Sequence, residues 1–320
     1  MKAYHRLFLF LLASLAITVL LSPWLAISWD RFVNARPALE PYRYSFARIF
    51  DRCFLVTSIL LFFPCRRFLK IGSAYQIGLA PRTHVASDVA TGFFWAVASM
   101  ALLVALMSIQ GIYTPFFRLN FSESTKTIMN GLLSGLGVGL FEEIFFRGIF
   151  FKGMMDERKP IRAFFIVNLV YAASHFVHPE NEFRLYDHDF WGGLRYLVAS
   201  FKPFLNLSEV FPGIIGLFLI GLVLSYAVIR TNTLFLSMGL HAGWVFSIKT
   251  VRVFGDYRRQ DLGWMFGSTD PKIVSGVIAW IGILSVAAVV HGLTRRRSAH
   301  SSDRFPEIAK AARESPGERG

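Results

Sequence analysis

Long stretches without charge dominate this sequence of 320 residues. Five of them run from Leu7 to Trp29, Val89 to Phe117, Val210 to Ile229, Thr231 to Ile248 and Ile273 to Thr294. A helix needs about 20 apolar residues to cross the roughly 30 Å of hydrocarbon in a bilayer, and these runs are near or above that length. Each run therefore predicts a transmembrane helix, which makes a water-soluble globular fold the wrong starting hypothesis.

Three further apolar segments are less regular. Cys53 to Cys65 is short, Thr127 to Phe151 is interrupted by charged residues, and Ala163 to His178 is brief. Counted with the five longer runs, they predict an all-α, polytopic integral membrane protein with about eight transmembrane helices. A cleaved signal peptide is the alternative for the first run, but this run is longer than the usual hydrophobic region of such peptides.

Composition and charge agree with a membrane protein. Hydrophobic residues make up 54% of the chain and charged residues only 17%, against about 25% charged residues in soluble domains. The net charge of +13 also suits nucleic-acid binding, but the basic residues lie mostly at the termini and between apolar runs, where side chains meet lipid headgroups. We therefore expect the lipid bilayer as a partner, no nucleic acid, and location in the plasma (inner) membrane.

The pattern of apolar and polar segments divides the chain into four parts. Residues 1–126 hold the N-terminal transmembrane helices with their loops, and residues 127–250 form a membrane core that contains the intramembrane charges. Residues 251–294 comprise the last loop and the last transmembrane helix. Residues 295–320 form a polar, basic tail, which we expect to be solvated.

The most informative segment is Gly-Leu-Phe-Glu-Glu-Ile-Phe-Phe-Arg-Gly at 139–148. An ionisable side chain inside a membrane helix is costly, so it requires a partner, a watery cavity or a function. Glu143 and Arg147 are four residues apart and share a helical face, which allows them to pair. Glu142 points elsewhere and is left over. A buried structural network of all three residues is the alternative.

Small residues precede this motif on the same helix. Gly131, Gly135 and Gly139 recur every four residues, a pattern that lets two membrane helices approach closely. Glu142 lies seven residues after Gly135 and so on the same side. We therefore expect its carboxylate to face protein and not lipid.

Two histidines lie in other apolar segments. His175 belongs to a polar stripe with Asn168, Tyr171 and His178 at helical spacing, which predicts that the stripe faces a cavity. His241 lies in the middle of an apolar run. Either histidine alone is typical of a hydrogen-bonded core residue, but together with Glu142 they indicate a catalytic site built from three segments.

These side chains support water activation. A carboxylate can act as general base on a water that one imidazole orients, while a second imidazole stabilises the oxyanion formed on a carbonyl. Glu142, His175 and His241 can equally bind Zn²⁺ and leave one position for water. No cofactor is therefore certain, and Zn²⁺ stays open at this point.

The motifs resemble those of the CAAX protease and bacteriocin-processing (CPBP) family of intramembrane proteases, which includes the type 2 CAAX prenyl endopeptidases. The family pattern has Glu-Glu-x-x-x-Arg, Phe-x-x-x-His and a late His-x-x-x-Asn-like motif. The first is intact, and in the second Tyr171 replaces Phe. In the third, Val245 stands where the family often has Asn, and loss of an oxyanion hydrogen bond there costs on the order of 10²-fold in rate unless another donor replaces it.

The resemblance, over roughly residues 127–250, implies a role for each matching residue. Glu142 and His175 would activate the water, His241 would help to bind the oxyanion, and Glu143 and Arg147 would hold the helix and its neighbours. The implied activity is intramembrane hydrolysis of a peptide bond in a membrane-embedded or lipid-anchored peptide, with a metalloendopeptidase as the second chemical version.

Two alternatives remain at the level of sequence. The first is a transporter or an immunity-type protein whose buried Glu, Arg and His side chains bind or relay an ion or proton, as intramembrane charges do in many carriers. The second is a structural subunit that has lost activity, which Val245 would explain.

Overall fold

The computed structural model describes residues 2–79, 84–155, 160–179, 183, 185, 189–259, 262–267 and 273–304. The helices in these residues are α1 (Ala3–Asn34), α2 (Phe46–Cys65), α3 (Val85–Ile109), α4 (Phe121–Glu142), α5 (Lys152–Met155), α6 (Pro160–Ser174), α7 (Gly192–Ala199), α8 (Leu207–Thr231), α9 (Phe235–Thr250), α10 (Gly263–Phe266) and α11 (Val277–Arg304). A π-helical segment, Glu143–Phe151, joins α4 to α5. The strands are β1 (Tyr113–Pro115) and β2 (Gly255–Tyr257), which pair antiparallel, and 3-10 turns cover Pro37–Tyr42, Lys202–Leu205, Val251–Val253 and Ile273–Ser275.

Within the described residues, five helices are long and apolar enough to cross a membrane. They are Tyr4–Asn34, Val85–Ile109, Phe121–Met155, Leu207–Thr231 and Val277–Arg295. The prediction of a helical, polytopic membrane protein is therefore confirmed, whereas the number of eight spans is not. The three other predicted spans correspond to α2, which carries Asp51 and Arg52, and to α6 and α9, which have only 15 and 16 residues.

The small sheet is a departure from the all-α prediction. The predicted span from Val89 to Phe117 is helical only as far as Ile109, since Gly111 turns the chain with a positive φ of 68°. The chain then enters β1, where the Tyr113 hydroxyl donates a hydrogen bond to the carbonyl of Val251 at 2.6 Å. The sheet thus ties the end of α3 to the turn after α9.

Helix α1 belongs to the fold at one end of the chain. It packs against α2 and α7, and its side chains Leu7 and Phe10 are buried. At the other end, α11 continues to Arg304 and so includes the first residues of the predicted polar tail 295–320. The rest of this tail, residues 305–320, lies outside the described residues.

Helix α9 forms the centre of the packing, between α3 and α4. A Cβ added to Gly135 of α4 would lie 2.5 Å from the carbonyl oxygen of Ala242, and one added to Gly139 would lie 2.8 Å from that of Met238. The backbones of α4 and α9 are therefore in direct contact, as the glycine spacing predicts. This contact brings the end of α4, where the charged motif starts, against α9.

Candidate active site

The helical repeat changes within the charged motif. Helix α4 ends at Glu142, and the nine residues from Glu143 to Phe151 form the π-helical segment. Such wide turns are rare and occur frequently at functional sites. The sequence predicts an α-helix for this stretch, because nothing in its apolar periodicity distinguishes a π-helix from an α-helix. The two neighbouring glutamates lie on either side of this change of repeat, Glu142 as the last residue of α4 and Glu143 as the first residue of the π-helical segment.

Glu143 is fully buried and its carboxylate accepts hydrogen bonds from three side chains. Arg147 Nη1 donates to Oε1 at 3.0 Å, Ser237 Oγ donates to Oε2, and His241 Nδ1 lies 2.9 Å from Oε1. The predicted pair of Glu143 and Arg147 is therefore present. The Glu143 carboxylate also fixes the side chains of Ser237 and His241 on α9. The contact with Ser237 was not predicted from the sequence.

Arg147 extends this network to two more helices. Its Nη2 lies 3.3 Å from Asn168 Oδ1 on α6 and 3.3 Å from the carbonyl oxygen of Gly221 on α8. Asn168 in turn donates to Ser225 Oγ at 3.0 Å. Breaking such a buried, hydrogen-bonded ion pair is strongly destabilising. Glu143 and Arg147 therefore hold four elements together, and Glu142 takes no part in the network.

Glu142 faces the two predicted histidines. Its Oε2 atom is buried and has no hydrogen-bond partner among the described residues. The Nε2 atom of His175 lies 3.9 Å from this oxygen, and Nε2 of His241 lies 3.8 Å from it. These distances are too long for direct hydrogen bonds. They suit a small molecule, such as a water or part of a substrate, bound against all three groups.

Both imidazoles are held through their other nitrogen. Nδ1 of His241 faces the Glu143 carboxylate at 2.9 Å, and Nδ1 of His175 lies 2.9 Å from the backbone oxygen of Tyr171. Because an ionised carboxylate and a carbonyl only accept hydrogen bonds, we assign the ring proton to Nδ1 in both residues. Each neutral ring then turns the lone pair of Nε2 toward Glu142.

The three side chains of the site differ in their exposure. The side chains of Glu142 and His175 are 32% and 31% exposed, whereas that of His241 is 4% exposed. His175 lies just beyond the end of α6, which stops at Ser174 and not at His178 as predicted. A reactant can therefore approach past Glu142 and His175, with His241 at the inner end.

The polar stripe predicted on α6 reaches this site only in part. Asn168 is buried in the network of Arg147, Tyr171 is buried beside the two histidines, and His178 is exposed. The Tyr171 hydroxyl lies 3.5 Å from His241 Nε2. Val245, one turn after His241, is half-buried and offers no hydrogen-bonding side chain. From the sequence, Tyr171 is only a replacement for the Phe of the family motif, and no role for its hydroxyl is predicted.

Carboxylate and imidazole side chains are usual ligands of Zn²⁺, but the distances from Glu142 to the two histidines are long for a zinc site. Zinc binds His nitrogen and carboxylate oxygen at about 2.0–2.2 Å, which separates neighbouring tetrahedral ligands by about 3.4 Å. The separations from Glu142 to His175 and His241 are 3.9 and 3.8 Å. No group of three or more His, Cys, Asp or Glu side chains in the described part of the chain has an arrangement that could hold a metal ion. The geometry therefore gives no support to the metalloendopeptidase version.

A known protein family matches the central part of the chain. The family described as type II CAAX prenyl endopeptidase Rce1-like matches residues 124–247, a range that contains Glu142, His175 and His241. The resemblance to CAAX proteases that the motifs predict is therefore confirmed over this part of the chain. No curated protein and no solved structure matches the chain.

Proposed function

We propose that this chain, whose residues 124–247 belong to the Rce1-like family of type II CAAX prenyl endopeptidases, is an intramembrane endopeptidase that uses an activated water. One observation carries the proposal. The buried Oε2 of Glu142 has no partner among the described residues and lies 3.8–3.9 Å from the Nε2 atoms of two histidines. A general base must reach the proton that it abstracts either directly or through one water.

The reaction requires only groups of the chain, a water and the peptide. The water donates one proton to Glu142 and a hydrogen bond to His175 Nε2, and its oxygen forms a bond with the carbonyl carbon. The electron pair of the C=O bond moves to the oxygen and forms a tetrahedral oxyanion. When the C=O bond re-forms, the C–N bond breaks and the leaving nitrogen takes the proton from Glu142.

His241 stabilises the oxyanion only in one protonation state. With the ring proton on Nδ1, its Nε2 atom carries a lone pair and cannot donate a hydrogen bond. In the doubly protonated form it donates from Nε2, and the adjacent Glu143 carboxylate stabilises the positive ring. Glu143 and Arg147 act as positioning residues, because they hold this ring and do not face the reacting atoms.

We propose a lipid-anchored or membrane-embedded peptide as the substrate. The motif of Glu142 lies within the candidate membrane span Phe121–Met155, so a scissile bond has to reach the depth of the bilayer. A lipid anchor or a hydrophobic segment brings a peptide to that depth. The exposed side of the site, at Glu142 and His175, is where the peptide would enter.

The test uses the purified full-length protein in lipid nanodiscs and a fluorogenic peptide that carries a farnesylated cysteine. The wild type should cleave this peptide faster than the same peptide without lipid. Glu142→Gln should lose cleavage and keep the wild-type thermal unfolding, whereas the matched control Glu209→Gln, an exposed position on α8, should keep both. Cleavage by Glu142→Gln at the wild-type rate would remove Glu142 from the base role. A wild type without cleavage would favour the transporter or immunity-type alternative.

A further inference from the structure

We propose that the hydroxyl of Tyr171 is a hydrogen-bond donor to the oxyanion and thus a catalytic residue of the peptidase. This inference rests on the proposed function and adds a residue to it. It also explains how the site functions with Val245, which has no polar side chain, one turn after His241.

Tyr171 lies beside both histidines of the site. Tyr171 is 1% exposed, and its oxygen lies 3.5 Å from His241 Nε2. The ring centre lies 4.7 Å from that of His175 and 6.0 Å from that of His241. Since Nε2 of both histidines faces Glu142, the tyrosine lies beside the region where water and carbonyl would meet.

The ring of Tyr171 is held rigidly. The guanidinium carbon of Arg147 lies 4.2 Å from the centre of the Tyr171 ring, and the Phe146 ring packs edge-on at 5.1 Å. A cation over a desolvated aromatic face is favourable, and the Arg147 guanidinium is itself fixed by Glu143. The phenol is therefore held in place before the substrate binds, as preorganised catalytic donors are.

The oxyanion requires hydrogen-bond donors. The oxygen of the tetrahedral adduct carries a full negative charge and requires donors. At this stage Glu142 holds the proton that the leaving nitrogen takes, and His241 with its proton on Nδ1 only accepts at Nε2. A phenol donates without first taking up a proton. Tyr171 therefore supplies a hydrogen bond to the oxyanion in either protonation state of His241.

The step conserves the proton of the tyrosine. As the water oxygen bonds to the carbonyl carbon, the electron pair of the C=O bond moves to oxygen, and the Tyr171 hydroxyl turns from His241 Nε2 to that oxygen. The hydrogen bond strengthens while the proton stays on the phenol. When the adduct collapses, the C–N bond breaks, the nitrogen takes the proton held by Glu142, and the hydroxyl returns.

A purely structural role is the alternative, in which the hydroxyl only orients His241. Two distances oppose it. The imidazole ring of His241 is already held at Nδ1 by the Glu143 carboxylate at 2.9 Å. The distance of 3.5 Å between the Tyr171 hydroxyl and His241 Nε2 is at the upper limit of a hydrogen bond. The hydroxyl thus has little to contribute to the orientation of His241 and is free to donate to a substrate.

The test is a set of variants with the farnesylated peptide. Tyr171→Phe removes one oxygen atom and keeps the ring, so it should fold normally. We expect its kcat to fall by about 10²-fold, the effect of removing one oxyanion donor, with little change in KM. Adding Val245→Asn should restore about tenfold or more of the loss, because residue 245 lies one turn from His241 on the same helical face. Val245→Leu is the matched control and should restore nothing.

The outcomes separate this inference from the proposed function. Wild-type kcat in Tyr171→Phe, with Glu142→Gln inactive, overturns the role of the tyrosine and leaves the peptidase intact. A loss in Tyr171→Phe that Val245→Asn does not restore assigns the hydroxyl to structure and overturns the inference as well. A wild type that does not cleave overturns both proposals.

Discussion

Glu142 and Glu143 are neighbours in the chain, yet their carboxylates have opposite surroundings. That of Glu143 accepts hydrogen bonds from Arg147, Ser237 and His241, whereas Oε2 of Glu142 is buried without a partner among the described residues. The Glu142 oxygen is therefore available to a bound water or substrate, whereas the Glu143 carboxylate holds side chains of the π-helical segment and of α9.

Removal of the Glu143 charge should destabilise the protein. Glu143→Gln leaves the fully buried Arg147 without its counter-ion, and breaking such a pair costs about 3–5 kcal/mol. Thermal unfolding of Glu143→Gln in nanodiscs should show a clearly lower midpoint than that of the wild type, while Glu142→Gln should unfold at the wild-type midpoint. Equal midpoints for Glu143→Gln and the wild type would contradict the structural role of this network.

The two histidines near the end of α6 should differ in their importance. His175→Ala removes the ring beside Glu142 and should lower kcat by at least about 10²-fold, the usual contribution of an acid or base group. His178→Ala should retain wild-type kcat, because that side chain is exposed. The measurement is cleavage of the farnesylated peptide at saturating concentration. Comparable losses in both variants would mean that the loop as a whole, and not the His175 ring, is required.

The glycines of α4 should not tolerate a side chain on the face toward α9. A Cβ at Gly135 would lie 2.5 Å from the carbonyl oxygen of Ala242, whereas a Cβ at Gly137 meets nothing within 4 Å. Gly135→Ala should therefore cost about 1–3 kcal/mol through overpacking and reduce cleavage, since it separates Glu142 from His241. Gly137→Ala on the same helix is the control. Identical unfolding and cleavage in the two variants would refute the close contact of α4 and α9.

Treatment with a chelator should leave activity unchanged. The Nε2 atoms of His175 and His241 lie farther from Glu142 Oε2 than neighbouring ligands of a tetrahedral zinc ion lie from each other. Cleavage should therefore continue at the wild-type rate after incubation with 1,10-phenanthroline and desalting. Loss of cleavage that returns on addition of Zn²⁺ would instead establish the metal version of the mechanism.

Much of the site could be predicted from the sequence, because charge inside a membrane helix is rare enough to stand out. The pair of Glu143 and Arg147, the left-over Glu142 and the glycine contact all follow from helical spacing. The π-helical segment could not be predicted, since its residues have no distinct pattern. Ser237 and the Tyr171 hydroxyl were also missed, because their roles depend on contacts between helices that are far apart in sequence.

The ends of the helices and the number of membrane spans were predicted less well than the presence of the long helices. Apolar composition marks the long helices, but it does not locate their ends, as the turn at Gly111 and the early end of α6 at Ser174 show. The number of spans also stays open, because α6 and α9 are shorter than a straight bilayer crossing. Short helices of this kind depend on their neighbours to satisfy their ends at membrane depth.

The glycine contacts around α9 restrict how the protein can move. Gly239 of α9 faces the carbonyl of Val89 on α3, while Gly135 and Gly139 face α9 from the other side, so this helix is clamped between two backbones. Sliding or rotation of α9 would force atoms into each other on both sides. His241, which α9 carries, is thereby held stationary, so in the proposed mechanism the scissile bond is aligned against a fixed wall.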